Sequence, residues 1–537
     1  MNRVDYDAEG SRDAPPSPRG PVTKWSRNSP WVIIWGVGAL SLGISLWQLS
    51  VPEVLSLYNS GVYFGAAVRF VSGAWPYRAF TFVQPPGIVV LLSPIALLAR
   101  VVGTHDGFIV ARVVDSIATA ANASLLARLV RHRGRIAMLI AGGGLALIPV
   151  SAWVSSAVML EPFCLMFALA GAVVVFSNSR ASGPATRSLL WGGVLFGLAA
   201  EVKLWAFFPF VAAVAVLAVP LGRRVWFFVA AAGGAFALSA LPFFIAAPRA
   251  FLSEVLVEQI ARHGNVLNSP GFGARLVNLS GFATTLEHPT ALEAIVAFAI
   301  LTVVVAVAMW RRAGAHPVDS FVVVATALVV GALLTAPEFY SYYAYFSAPF
   351  LLATVAISLA RLAPVLWRPT WDSHVTARIR KLVAVTAPLG GAIFLVAAIL
   401  WVTTAYSVYA WAYGEYEPWI GALARYVPAG SCVVYSDVSF GILTNRMTST
   451  NPHCPTVVDP DGMWMAWGYQ RVPAAAPFVA QWRSYFAAAQ YVVLLYPRVS
   501  RIPWNHGLNH WFTLHYHRLY GRHYVYVYAN DANPSPS

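Results

Sequence analysis

Long apolar runs alternate with short polar connections over most of the chain. A helix that crosses a bilayer needs roughly 20 apolar residues. Eleven stretches meet that pattern: 31–50, 107–127, 136–157, 162–178, 187–202, 204–220, 225–247, 290–310, 319–336, 345–362 and 383–405. Between the first two lies a different segment, Leu57–Gly87, too polar to cross a bilayer and dense in aromatic residues. It ends at Pro85-Pro86, and a short apolar run, Ile88–Val102, follows. After about residue 415 the apolar runs shorten to strand length, at 432–436, 491–496 and 524–528. Helical stretches at 416–427, 439–446 and 477–489 separate them, which predicts a small α/β domain.

Composition agrees with this pattern. Of the 537 residues, 58% are hydrophobic and 11% charged, a balance that places the chain among polytopic membrane proteins. The expected fold is a polytopic α-helical membrane protein. It has about 11 transmembrane helices, juxtamembrane helices on the outer face, and a C-terminal α/β extracytoplasmic domain. Residues 1–29, rich in Pro, Ser and charge, read as a disordered cytoplasmic tail. Residues 30–405 form the membrane domain, with 51–106 as its first outer loop, and 406–537 the outer domain.

Charge fixes the expected orientation. The formal net charge is +14, carried by arginine clusters at 128–135, 180–187, 223–224, 311–312 and 361–381. With the N-terminus in the cytoplasm, alternating spans put all five clusters on the cytoplasmic side, as the positive-inside rule requires. This works only if Ile88–Val102 does not cross, so it is read as a half-buried helix on the outer surface. The segments 187–202 and 204–220 are expected to form a tight hairpin with Lys203 at its outer tip. Four polar segments then face outward: 51–106, the Val158–Pro162 turn, 248–288, and Ala336–Phe346. No basic run interleaved with aromatics argues for a nucleic-acid partner. On an oxidising outer face Cys432 and Cys454 are expected to pair, the alternative being two free thiols.

The segments Gly61–Gly87 (GVYFGAAVRFVSGAWPYRAFTFVQPPG), Met159–Pro162 (MLEP), Gly197–Trp205 (GLAAEVKLW) and Pro337–Phe346 (PEFYSYYAYF) carry a resemblance. Over residues 30–405 the chain resembles the GT-C class of integral membrane glycosyltransferases. Within that class it resembles the protein-mannosyltransferase and aminoarabinose-transferase-like branch, in an actinobacterial form. The resemblance implies a polyprenyl-phosphate sugar donor and a glycan or glycolipid acceptor of the cell envelope. It implies one inverting step on the outer face of the cell membrane, with mannose as the favoured sugar and arabinofuranose as the alternative.

Candidate chemistry follows from residue type and place. Glycosyl transfer needs a base for the acceptor hydroxyl, and carboxylates suit it. Glu161, at the head of an apolar span, and Glu53, at the membrane exit of the first loop, are the candidates. The competing reading of Glu161 is a favourable charge at a helix N-terminus. In the first loop the family places acids where this chain has Asn59-Ser60 and Ala79. The lipid phosphate needs cations. Lys203, isolated between two apolar spans, is the first candidate, with Arg69 and Arg78 beside it. An internal pair with Glu201 is the alternative for Lys203. Asn59, Tyr63, Gln84, Glu338, Tyr342 and Tyr343 are candidate substrate contacts, against an aromatic belt at the interface. No spacing demands a metal, although a loose set of acids could hold a divalent cation, and no cofactor is assigned. The chain has no phosphate-binding GxxxxGK[ST] loop, HExxH or Gly-x-Ser-x-Gly motif. Two other readings stay open: a lipid or glycolipid transporter, and an inactive scaffold that kept the fold.

Overall fold

In the computed structural model the described residues are 25–49, 58–177, 183–260, 270–283, 289–310, 316–366, 396, 399–400, 417–467, 476–522 and 524–532. Glu53, most of the 1–29 tail and most of the span expected at 383–405 lie outside them. The chain opens with α1 (Trp25–Gln48), α2 (Tyr58–Val71), α3 (Gly87–Val102) and α4 (Thr104–Leu129). Among the described residues six helices are long and apolar enough to cross a membrane. A bent pair, 135–147 with 149–155, makes a seventh. Eleven crossings are therefore not reached by length and composition. Leu160–Phe176 is apolar but shorter. The apolar stretch Leu204–Ala246 is two helices, Phe207–Leu221 and Val225–Ala246, separated at Gly222, whose φ is 52°.

Glycines set how the helices after the Val158–Pro162 turn pack. Gly193 lies against the backbone of Phe228, and Gly197 against that of Ala232. Helices Thr186–Val202 and Val225–Ala246 therefore run parallel in close contact, and the intervening helix Phe207–Leu221 returns the chain. The turn from Thr186–Val202 toward Phe207–Leu221 begins at Lys203, which is extended (φ −154°, ψ 127°).

Helix α3 does not run through the bundle. Its first residue, Gly87, abuts the backbone of Glu201 at the end of one span, and its C-cap, Gly103, abuts Asn445 of the C-terminal domain. Both ends thus meet the same end of the molecule. Ile88, Val89, Leu92, Ala96 and Ala99 are buried, while Val90, Leu91, Leu97, Leu98, Val101 and Val102 are exposed. A helix with one face on protein and an apolar face outward is suited to a membrane surface.

Arginines gather at the opposite end of α4. Asp319 accepts from Arg133 and Arg361 (2.9 Å for the latter) and lies 2.8 Å from His132 Nε2. Arg131 donates to the Ser177 carbonyl and Arg224 to that of Pro184. Four of the arginine-rich connections therefore converge on one end.

Among the described residues the C-terminal part is a four-stranded mixed sheet with helices on it. Strands β1 (Val433–Tyr435), β2 (Tyr491–Leu495), β3 (Tyr516–Arg522) and β4 (Val525–Asn530) lie in the order β1-β2-β4-β3. The β1–β2 pair is parallel and the others antiparallel. Alternation along each strand divides the two faces. Val434, Val492 and Leu494 pack with Trp482, Phe486 and Phe512 of the outer helices. Val433, Tyr435, Tyr491, Val493, Val525 and Val527 join the large core that continues into the membrane helices. Cys432, beside β1, is joined to Cys454 by a disulfide. Helix His506–His515 and strand β3, which the sequence pattern did not suggest, complete this layer.

The two parts are tied together directly. Thr104 Oγ1 donates to the Ile442 carbonyl (2.8 Å), and the His105 N–H donates to Asn445 Oδ1 (2.9 Å). A Cβ on Gly61 of α2 would sit 2.8 Å from the Ser439 nitrogen, so only glycine allows this approach.

Candidate active site

The turn that carries Glu161 is held by side chains from two helices. Ser60 Oγ of α2 accepts the Val158 N–H (3.0 Å). From α4, Arg112 Nε donates to the Ser156 carbonyl (2.7 Å) and Asp115 Oδ1 accepts the Met159 N–H (3.0 Å). Asn122, two turns further along α4, donates to the Pro162 carbonyl (2.9 Å). These bonds fix where helix Leu160–Phe176 begins, and so where the Glu161 carboxylate points.

It points at Lys203. The two side chains form an ion pair in which both are almost fully buried. The ammonium also faces aromatic rings: Tyr343 at 4.4 Å, Trp205 at 4.7 Å and Tyr342 at 5.9 Å from their centroids. Such a cage stabilises a cation that burial would otherwise penalise. The aromatic segment is itself anchored. Arg275 donates to the carbonyls of Leu333, Leu334 and Ala336 at the end of helix Pro317–Thr335 (3.1, 3.1 and 2.6 Å).

Lys203 lines a cavity of about 310 Å3. The first loop forms one wall with Tyr58, Asn59, Tyr63 and Gln84, and Tyr340, Tyr342 and Tyr343 form another. Arg112 and Met159 reach it from the membrane helices. The loop before α3 is knit to itself: Tyr77, at φ 66°, donates its hydroxyl to the Gln84 carbonyl (2.6 Å). Glu254 Oε2 accepts the Phe82 N–H (2.7 Å), and burial pushes its carboxyl up to about 8.

The C-terminal domain closes the cavity with Asp459, Asp461 and Arg501. Tyr58 donates its hydroxyl to Asp459 Oδ1 (2.7 Å) and accepts the Asp461 N–H (2.8 Å). The Arg501 guanidinium lies 3.7 Å from the centre of the Tyr58 ring. Its nitrogens reach 4.0 Å from Asp437 Oδ2 and 4.0 Å from Asp461 Oδ1. Burial pushes the Asp459 carboxyl up to about 6, against the lowering effect of bonds from Gly462 and Tyr58. Among the described residues, no group of three acids, histidines or cysteines is placed to hold a metal ion.

Comparison with known proteins bears on this arrangement. The family model for glycosyltransferase family 87 matches residues 82–337. A comparison with curated protein sequences finds no match. Among solved structures, ArnT from Cupriavidus metallidurans in the apo state aligns at a TM-score of 0.61 and 14% identity, over 95% of this chain and 100% of ArnT. The same protein bound to undecaprenyl phosphate gives the same values. The chain has the GT-C fold of membrane glycosyltransferases. The oligosaccharyltransferase AglB from Archaeoglobus fulgidus, in complex with an inhibitory peptide and a dolichol-phosphate, also aligns. Its TM-score is 0.54 and its identity 13%, over 96% of this chain and 75% of AglB.

Within this GT-C fold, the sequence-derived candidates separate. Lys203, Asn59, Tyr63, Gln84, Tyr342 and Tyr343 line the cavity, and Glu161 stands behind Lys203. Three more of the described candidates also stay out of the lining. Arg78 is exposed, because the Pro76–Phe80 bridge turns its side chain outward. Arg69 lies in the last turn of α2, away from Asn59, and faces Tyr435 of β1. Glu338 is 3% exposed and stays out of the lining. Glu201 does not take Lys203 as partner; Glu161 does.

The sequence reading missed Arg112, Asp115, Asp459, Asp461 and Arg501. A signal existed for the first two: ionisable residues three apart share one face of a helix, and inside an apolar span they are costly. The other three lie about 400 positions from Tyr58 in sequence, and nothing local marks them.

Proposed function

We propose that the chain transfers a glycosyl group from a polyprenyl-phosphate donor to a hydroxyl of an envelope glycan or glycolipid. The cavity and C-terminal domain face outward and the arginine-rich end faces the cytoplasm. That orientation rests on the positive-inside pattern and on the convergence of four arginine-rich connections at one end.

The observation that carries the reading is Lys203: a buried ammonium at the turn between two apolar helices, held by Glu161 and opening on a cavity walled by aromatic rings. An ammonium has three donors. One goes to Glu161, and the others are available to a phosphate oxygen. Arg112, one side of which binds the Ser156 carbonyl, adds a guanidinium on the same cavity. Two cations stabilise the negative charge that grows on the phosphate as the glycosidic bond breaks, and they do so in a site largely shielded from water. Tyr342, Tyr343 and Tyr63 offer faces and hydroxyls to the sugar, and Asn59 and Gln84 offer amides. In this reading Glu161 holds Lys203 in place. Mannose is the preferred sugar, on the resemblance of the first loop to the protein-mannosyltransferase branch, with arabinofuranose second.

The test uses purified full-length protein in lipid nanodiscs. Labelled polyprenyl-phosphate mannose, or the arabinofuranose lipid, is supplied with an envelope glycolipid extract. Label should move to the extract in the wild type and fall by at least about 100-fold in Lys203→Met. Label that stays on the polyprenyl lipid with both donors would overturn the reading.

A further inference from the structure

A glycosyl acceptor must lose a proton as it attacks, and the cavity has few groups to take it. Asn59 and Gln84 are amides without basic character. Glu161 is engaged with Lys203 and does not line the cavity. Among the described lining residues, the carboxylates are Asp459 and Asp461, and both come from the C-terminal domain.

The two differ in setting. The Asp461 side chain is a quarter exposed, and its carboxylate lies beside Arg501. Asp459 is 6% exposed and caps the short helix Pro460–Ala466, its Oδ1 accepting the Gly462 N–H (2.9 Å) as well as the Tyr58 hydroxyl. One carboxylate oxygen is therefore fixed by two donors from two parts of the fold. The other is left to accept a proton.

We propose that Asp459 is the general base of this enzyme, supplied to the membrane site by the C-terminal domain. The proposal rests on the glycosyl-transfer reading above. The acceptor oxygen forms a bond to the anomeric carbon, and the bond from that carbon to the phosphate oxygen breaks. Its electron pair leaves on polyprenyl phosphate, which Lys203 and Arg112 receive. The acceptor proton passes to the free oxygen of Asp459 and from there to water. Tyr58 holds the carboxylate in line, and the C-terminal domain becomes part of the catalytic centre. A carboxyl near 6 suits a base working at neutral pH. The groups that face it are Tyr58 from α2, Asp461 on its own helix, Arg501 from the loop after β2, and Glu254 across the first loop.

The experiment measures single-turnover transfer, pH dependence and binding of polyprenyl phosphate for wild type, Asp459→Asn and Asp459→Ala in nanodiscs. Both variants should lose at least about 100-fold in rate while binding polyprenyl phosphate within about threefold of wild type. The acidic limb of the wild-type rate near pH 6 should vanish in Asp459→Asn. Added formate should restore part of the rate to Asp459→Ala and none to Asp459→Asn, a response that a purely structural role would not give. Asp459→Asn that transfers within threefold of wild type and keeps its limb overturns the assignment and leaves the transferase reading standing. A wild type that transfers no sugar overturns both.

Discussion

Lys203 and Glu161, 42 residues apart in sequence, form a buried ion pair beside the cavity that Lys203 lines. Breaking such a pair leaves an uncompensated buried charge, at a cost of about 3–5 kcal/mol. Lys203→Met and Glu161→Gln should therefore each lower the thermal midpoint. The double variant Lys203→Met/Glu161→Leu removes both charges and should recover most of the loss in a melting experiment. It should remain without transfer activity, because the phosphate contact is gone. Recovery of activity together with stability would mean that the pair serves the fold alone.

Asp459 links stability and activity to pH with opposite signs. Its carboxyl moves from an ordinary 3.8 to about 6 on folding, chiefly through burial. The folded chain thus holds this proton more tightly than the unfolded chain. The stability it contributes is fully present below about pH 4 and is lost as pH rises through 6, by up to ~3 kcal/mol. Activity that needs the ionised carboxylate rises over the same range. Asp459→Asn should flatten the stability change between pH 4 and 6 in denaturation curves. A second window, from about 4.5 to 8 and set by Glu254, should persist.

The contact between α2 and the C-terminal domain is tight enough to be tested by one methyl group. Gly61→Ala would force its Cβ against the Ser439 backbone. An overlap of this kind costs about 1–3 kcal/mol. It should also shift the seam on which Tyr58 meets Asp459, so transfer should fall more steeply than the melting temperature suggests. Gly36→Ala, with open space around it, should change neither.

The Cys432–Cys454 disulfide joins positions 22 apart in sequence and encloses the edge strand β1. Reduction, or Cys454→Ser, should destabilise the C-terminal domain by about 3 kcal/mol. Limited proteolysis before and after reduction reads this directly, with faster cleavage near residue 450 expected.

Local pattern revealed much of this site and distance concealed the rest. Lys203 was legible because a lone lysine between apolar runs has to be satisfied by something. Glu161 was legible as a carboxylate at the head of a span, and α3 because Pro85-Pro86 opens an apolar run too short and too inconvenient in charge to cross. Arg69 and Arg78 lie outside the cavity lining, and sequence does not tell which way a loop or the end of a helix turns; the short bridge at Pro76–Phe80 and the approach of β1 decide that. Arg112 and Asp115 sit inside an apolar span whose average hides them. Asp459, Asp461 and Arg501 needed the fold itself, since only the docking of the sheet domain on α2 brings them to Tyr58. Length and apolarity support fewer than 11 spans among the described residues, where several helices are shorter than a bilayer requires and most of 383–405 is not described.

The proposed reaction moves a sugar off a polyprenyl phosphate with Lys203 as its phosphate contact. The most direct measurement follows the label from a polyprenyl-phosphate sugar in nanodiscs containing wild type or Lys203→Met, with envelope glycolipid as acceptor. Label is expected in the glycolipid with wild type, and at least about 100-fold less with the variant. Equal transfer by the two proteins, or none by either with mannose and arabinofuranose donors, would contradict it.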